Sequence, residues 1–95
     1  MPPNVSWSPE ALDDLKRLHD FLASHSPRAA AQSTIDLIDG VAYIANNSGL
    51  AVALPQFAPA DVRRALISQY EIRFEFDLAE NAINVVRIFS QREDR

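Results

Sequence analysis

From position 10 to about 45 the apolar residues recur with the spacing of a helix, and from position 62 onward with that of a strand. Ala11, Leu15, Leu18 and Leu22 fall at i, i+4, i+7 and i+11, with Leu12 and Phe21 widening the stripe. Asp13, Asp14, Lys16, Arg17 and Asp20 occupy the other side, so the pattern predicts an amphipathic helix. Ser8-Pro9-Glu10 marks its start. The hydroxyl can accept from first-turn amides, the proline ring suits the first helical position, and the acid complements the positive helix end. Ser26-Pro27 repeats the signal and opens a second helix to about Ala45. Its stripe reads Ala31, Ile35, Ile38, Ala42 and Ala45, with Leu37, Val41 and Ile44 beside it. Gly40 weakens its middle by about 1 kcal/mol relative to alanine, which we read as room for the partner helix to approach. Asn46-Asn47-Ser48-Gly49, residues that tolerate left-handed backbone, closes the helix. So short a link predicts an antiparallel helical hairpin.

Ahead of the first helix, Val5-Ser6-Trp7 is a β-leaning tripeptide with Trp7 as its core anchor. Residues 50–61 lack a period and contain Pro55 and Pro59, which predicts a loop, packed down by Leu50, Val52, Leu54 and Phe57. Val62–Ile67 reads as a strand. Tyr70, Ile72, Phe74 and Phe76 alternate with Glu71, Arg73, Glu75 and Asp77, a half-buried strand. After a turn at Ala79-Glu80-Asn81, Ile83–Phe89 is nearly all apolar, as in a central strand covered on both faces. The order is β-αα-βββ. It predicts an α+β fold, one domain over residues 1–95, in which an N-terminal strand precedes a helical hairpin packed on a three-stranded antiparallel sheet.

Composition narrows the function. With 95 residues there is room for one core. No apolar run is long enough to span a bilayer, and Met1-Pro2-Pro3-Asn4 does not read as a secretory signal. No cysteine is present, which excludes disulfides and thiolate metal sites and suits the cytoplasm. His19 and His25 alone are too few for a metal site, and no cofactor is expected. A glycine-rich phosphate loop and a Ser/His/Asp order are both missing. The net charge of −4 argues against binding nucleic acid through its phosphates. The charge is uneven, however: residues 1–62 carry three basic and seven acidic side chains, and residues 63–95 six of each.

Any partner-facing patch should therefore draw on Arg63, Arg64, Arg73, Arg87 and Arg92, with Arg95 beyond them. Arg63 and Arg64 point to opposite faces of a strand, and one of them has a structural use if it pairs with Glu71 or Glu75. Arg87 interrupts an apolar strand, so it must be paired or emerge toward a partner. Arg92 and Arg95 sit in a tail whose charges are ordinarily solvated, and Tyr70 reads as a packing residue. Glu10, Asp13 and Asp14 are accounted for by helix-end electrostatics and pairing to Lys16 or Arg17. An open strand edge and the groove along the hairpin would each admit a peptide.

The sequence resembles the ParE/RelE toxins across nearly its whole length. The matching pieces are Val5-Ser6-Trp7-Ser8-Pro9-Glu10-Ala11 with Asp14-Leu15, Ser26-Pro27-Arg28-Ala29-Ala30, Val62-Arg63-Arg64, Tyr70-Glu71-Ile72-Arg73-Phe74, and Val85-Val86-Arg87-Ile88-Phe89-Ser90-Gln91-Arg92-Glu93-Asp94. The resemblance implies a toxin neutralised by an antitoxin encoded beside it, of ParD or RelB type, whose C-terminal segment folds on binding to form a hetero-oligomer. Members that cut mRNA on the ribosome work with clustered Lys and Arg and, often, a tyrosine near the C-terminus. Here the one lysine is Lys16 and no tyrosine follows Tyr70, although Arg64 and Arg87 correspond to two RNA-contacting arginines. The Arg92-Glu93-Asp94 tail looks more like the ParE branch, for which the resemblance implies no catalytic residues, no sequence-specific nucleic-acid binding, and DNA gyrase as the target. A ribosome-dependent mRNA endonuclease is the alternative. A degenerate toxin that keeps only antitoxin binding is the third reading.

Overall fold

Strand β1 (Asn4–Trp7) leads through a single residue, Ser8, into helix α1 (Pro9–Ala23), and a short link carries the chain into α2 (Pro27–Asn46). The structure, a computed structural model, describes residues 2–90. Both helix starts are built as their sequences predict. Ser8 Oγ accepts the Ala11 amide at 3.0 Å and Ser26 Oγ the Ala29 amide at 3.2 Å, each with proline next in the chain. The sheet strands are β2 (Val52–Ala53), β3 (Asp61–Ile67), β4 (Tyr70–Asp77) and β5 (Ala82–Ser90), with 3₁₀ turns at Ser48–Leu50 and Pro55–Phe57.

The expected antiparallel unit is β3-β4-β5, and the sheet extends it on both sides. Among the described residues it has five strands in the order β1-β5-β4-β3-β2. β1 joins β5 in parallel, so the sheet is mixed, and β2 turns part of the expected 50–61 loop into an edge strand against Arg63 and Arg64. The helices lie on one side, α1 over β5 and α2 against β3. Toward them point Val5, Trp7, Tyr70, Ile72, Phe74, Phe76, Ile83, Val85 and Ile88, which meet Ala11, Leu18, Leu37, Val41, Ile44 and Ala45 in one core. Trp7 is partly buried and packs against this core.

β5 departs from its sequence reading. It is interior to the sheet, between β1 and β4, but among the described residues only its helix-facing side is covered. A register shift opposite Arg73/Phe74 makes Arg73 face Arg87 and Phe74 face Val85, leaving Val86 as an extra residue. That insertion re-phases the strand. Val85 and Ile88 both stay in the core, and Arg87 and Phe89 fall on the opposite face with Arg73 and Glu71. The apolar run therefore marks a bulge.

The helical stripes also shift. In α2 the buried row is Ala30, Leu37, Val41, Ile44 and Ala45, and Ile35 and Ile38 are 51% and 48% exposed. Both rows are apolar, so spacing alone did not choose between them. In α1, Leu12 and Phe21 are exposed and the acidic Asp14 is buried. The Asn46–Gly49 segment ends α2 without left-handed backbone; Asn46 and Asn47 side-chain amides donate to the Ala42 and Tyr43 carbonyls instead. Positive φ occurs at Ser68 and Asn81, in the two hairpin turns.

Gly40 makes room for a strand, where the sequence suggested a helix. A Cβ there would lie 2.5 Å from Ile67 Cγ2 and 2.9 Å from its Cδ1, at the end of β3. Crowding against a movable side-chain end opposes the helix-propensity gain. Gly40→Ala should destabilise the protein by about 1–2 kcal/mol, whereas in an Ile67→Ala background the same change should stabilise it by about 0.5–1 kcal/mol. A double-mutant cycle by urea denaturation checks the reversal of sign.

Candidate functional site

The register sets Arg64, Arg73 and Arg87 side by side across β3, β4 and β5, on the face away from the helices. The neighbouring row on that face is Leu66, Glu71 and Phe89. The Arg73 guanidinium lies 4.9 Å from the Phe89 ring centroid and 6.0 Å from that of Phe57, and the Arg87 guanidinium 4.8 Å from Phe89. Phe89 is thus held between two cations, contacts worth about 0.5–1 kcal/mol each at an exposed site. Phe57, Val52 and Leu66 add exposed apolar surface around the row.

Two carboxylates lie beneath these guanidinium groups. Glu71, 5% exposed, accepts from Arg73 Nε at 3.0 Å and pairs with Arg64 Nη1 at 3.5 Å, the structural pairing expected for one of the two arginines of β3. Asp14, also 5% exposed, comes from α1. β1 pairs with β5 as far as Trp7↔Val85, and α1 then runs along the same strand. Where β1 would have continued, Asp14 accepts the Ile88 amide at 2.9 Å. It also accepts Arg87 Nε at 2.7 Å, Arg87 Nη2 at 3.2 Å and Arg17 Nη2 at 3.2 Å. Ser8 secures the bulge beside it. Its amide donates to the Val85 carbonyl at 2.9 Å and its hydroxyl to the Val86 carbonyl at 3.0 Å.

Burial alone would push the Asp14 carboxyl up, but hydrogen bonds from Arg87, Ile88 and Arg17 outweigh it and hold the group below its ordinary value. The same contact keeps Arg87 more firmly protonated. Asp14 therefore does more than the helix-end role its sequence position suggests. It does pair with Arg17, as expected, but its main partners lie more than 70 positions away. Lys16 pairs with Asp20.

The remaining candidates separate from this group. Arg63 points to the helix side, where it forks onto Asp61 at 2.9 and 2.8 Å, donates to the Ser48 carbonyl at 3.3 Å and stacks 4.2 Å from the Phe76 centroid. Those contacts hold it on the face opposite the arginine row. Arg92 and Arg95, with the rest of the Gln91–Asp94 tail motif, lie outside the described residues. Sequence reasoning missed Asp14, Glu71, Phe57 and Phe89 as members of the site. For Asp14 a signal was present: it stands three residues after Ala11 and four before Leu18, in the buried row of α1.

The face can hold carboxylates through forked guanidinium donors and apolar or aromatic groups through Phe57, Phe89 and Leu66. Its acids include Glu71 and Asp14, both paired with guanidinium groups. Lys16 and His19 are on α1, His25 follows it, Tyr43 is on α2, and Tyr70 packs in the core. Among the described residues no three His, Cys, Asp or Glu side chains gather as a metal site would require.

A family model described as the ParE toxin of the type II toxin–antitoxin system parDE matches residues 5–95. The chain belongs to the ParE toxin family. Solved structures share its fold. A chromosomal ParDE toxin–antitoxin system from P. aeruginosa matches with a TM-score of 0.75 at 18% identity, over 94% of this chain and 96% of that one. A RelB–RelE toxin–antitoxin complex from Mycobacterium tuberculosis gives 0.68 at 17%, over 98% and 95%. An archaeal RelE–RelB complex from Pyrococcus horikoshii OT3 gives 0.62 at 14%, over 99% and 100%. No curated protein matches the chain. No helix among the described residues of this ParE-family toxin is long and apolar enough to cross a membrane.

Removing the Asp14 charge should cost stability in a graded, pH-dependent way. At pH 7, Asp14→Asn should lose about 2 kcal/mol and Asp14→Ala about 3, because alanine also strands the Ile88 amide. A carboxyl whose folded pKa is depressed contributes fully above its unfolded value and loses that contribution as pH falls through the folded one. The gap between wild type and Asp14→Asn should therefore be constant from pH 7 to about 5 and narrow below the ordinary value of 3.8. Urea titrations at several pH values measure it.

Proposed function

We infer that this toxin binds DNA gyrase and traps it on cleaved DNA, that it has no catalytic residues of its own, and that a ParD- or RelB-like antitoxin neutralises it. The observation that carries this reading is the row Arg64–Arg73–Arg87 with Phe57 and Phe89, a face equipped to bind, whose carboxylates Asp14 and Glu71 are already engaged by guanidinium groups. Guanidinium groups stay protonated at neutral pH, so they supply charge and hydrogen bonds without acting as general bases. Arginine and aromatic side chains are also the residue types that dominate protein–protein binding energy. The antitoxin reading rests on the family and on the same chemistry: forked arginines suit an acidic segment that orders on binding.

A second reading has one observation in its favour. Arg64 and Arg87, the two arginines that resemble RNA contacts of the mRNA-cutting branch, do share a face. Cleavage on the ribosome would use them to stabilise phosphate charge.

Purified toxin added to gyrase, ATP and supercoiled plasmid should raise the fraction of linear, gyrase-linked DNA in proportion to toxin. Arg64→Ala should lower that potency roughly tenfold and change folding stability by less than about 1 kcal/mol. Growth arrest with translation stopped at once and DNA intact would reject the gyrase reading in favour of the ribosome. Tight antitoxin binding with no effect on growth would identify a degenerate toxin.

A further inference from the structure

Arg87 stands at an exposed position whose side chain, if left to itself, would sample many rotamers. It is instead fixed at both ends of its guanidinium contacts: Asp14 takes Nε and Nη2, and the Phe89 ring lies 4.8 Å below. The anchoring carboxylate comes from α1, outside the sheet, and is itself fixed by the Ile88 amide and Arg17. Holding a long side chain in one orientation before its partner arrives removes an ordering cost from binding, worth roughly two- to tenfold in affinity.

We propose that Asp14 is a positioning residue of the toxin's binding face, holding Arg87 over Phe89 in the orientation the partner engages. This rests on the reading of that face as the toxic surface, but it requires no particular target. Asp14 touches no partner itself. Its effect passes through Arg87, and this separates the idea from a plain stability role. Asn at position 14 keeps the size and one acceptor oxygen while losing the charge that grips Nε.

Two measurements on the full chain test it. The first is the Arg87 Nε–H resonance in the isolated protein. It should be sharp and slow to exchange with water in the wild type, and broadened or fast-exchanging in Asp14→Asn under conditions where both are fully folded. An unchanged Arg87 signal overturns the proposal whatever the toxin's target. The second is potency, read as growth arrest per unit of soluble toxin, for wild type, Asp14→Asn, Arg87→Ala and the double variant. Each single change should lower potency roughly tenfold, with the double variant no worse than Arg87→Ala alone. Multiplying effects, or an Arg87→Ala toxin as potent as wild type, overturns it. Wild-type toxin that arrests growth and leaves gyrase untouched sinks the gyrase reading and leaves the coupling test of Asp14 in force.

Discussion

The structure turns on a carboxylate that stands in for a strand. β1 ends at Trp7 because α1 must begin at Pro9, and this leaves the outer edge of β5 uncovered beyond Val85. An unmet backbone donor at that edge, partly shielded from water, costs roughly as much as a lost hydrogen bond. Asp14 meets it from the second turn of α1. The helix is thereby fixed in rotation against the sheet, and Ser8 fixes its start nearly two turns earlier through the Val85 and Val86 carbonyls. Burying that charge is tolerable because the acceptor is saturated: an amide and two arginines surround it.

The two sides of the sheet have different tasks as a result. One face carries the core and both helices. The other keeps a row of arginines above a second buried carboxylate, Glu71, with two phenylalanines stacked among them. A family of toxins of toxin–antitoxin systems fits a fold in which, among the described residues, no helix covers one sheet face. The Val86 bulge connects the two tasks, since it allows Ile88 to fill the core while Arg87 and Phe89 reach the other side.

Local signals in the sequence were reliable where the physics is local. Ser8-Pro9 and Ser26-Pro27 cap the helices they announce, and the alternation from Tyr70 to Phe76 gives the correct inner face of β4. Errors arose where distant partners decide. The parallel pairing of β1 depends on a strand that begins 78 positions later, at Ala82 opposite Asn4. Ile35 and Ile38 satisfy a helical stripe as well as Leu37 and Val41 do, and only the position of the sheet separates them. Asp14 was read as a solvent-facing acid because its partners, Arg87 and the Ile88 amide, come from the other end of the chain. For the candidate site, the concentration of arginines after position 62 pointed to the strands on which Arg64, Arg73 and Arg87 share a face. Strand alternation set Arg63 and Arg64 on opposite faces, but it did not reveal which of them turns inward, or that Asp61 receives it.

The buried carboxylates also set the range over which the arginine face can be felt. Glu71 serves Arg64 and Arg73, and Asp14 serves Arg17 and Arg87, so two negative charges sit within a few ångströms of four positive ones. What remains positive is carried on a chain of net charge −4. Beyond a screening length of about 8 Å at physiological salt, an approaching molecule meets an acidic protein. Within hydrogen-bonding distance it meets forked donors and aromatic rings. An acidic molecule would therefore not be drawn in from afar; if this face binds one, its selectivity would reside in how slowly the right partner leaves.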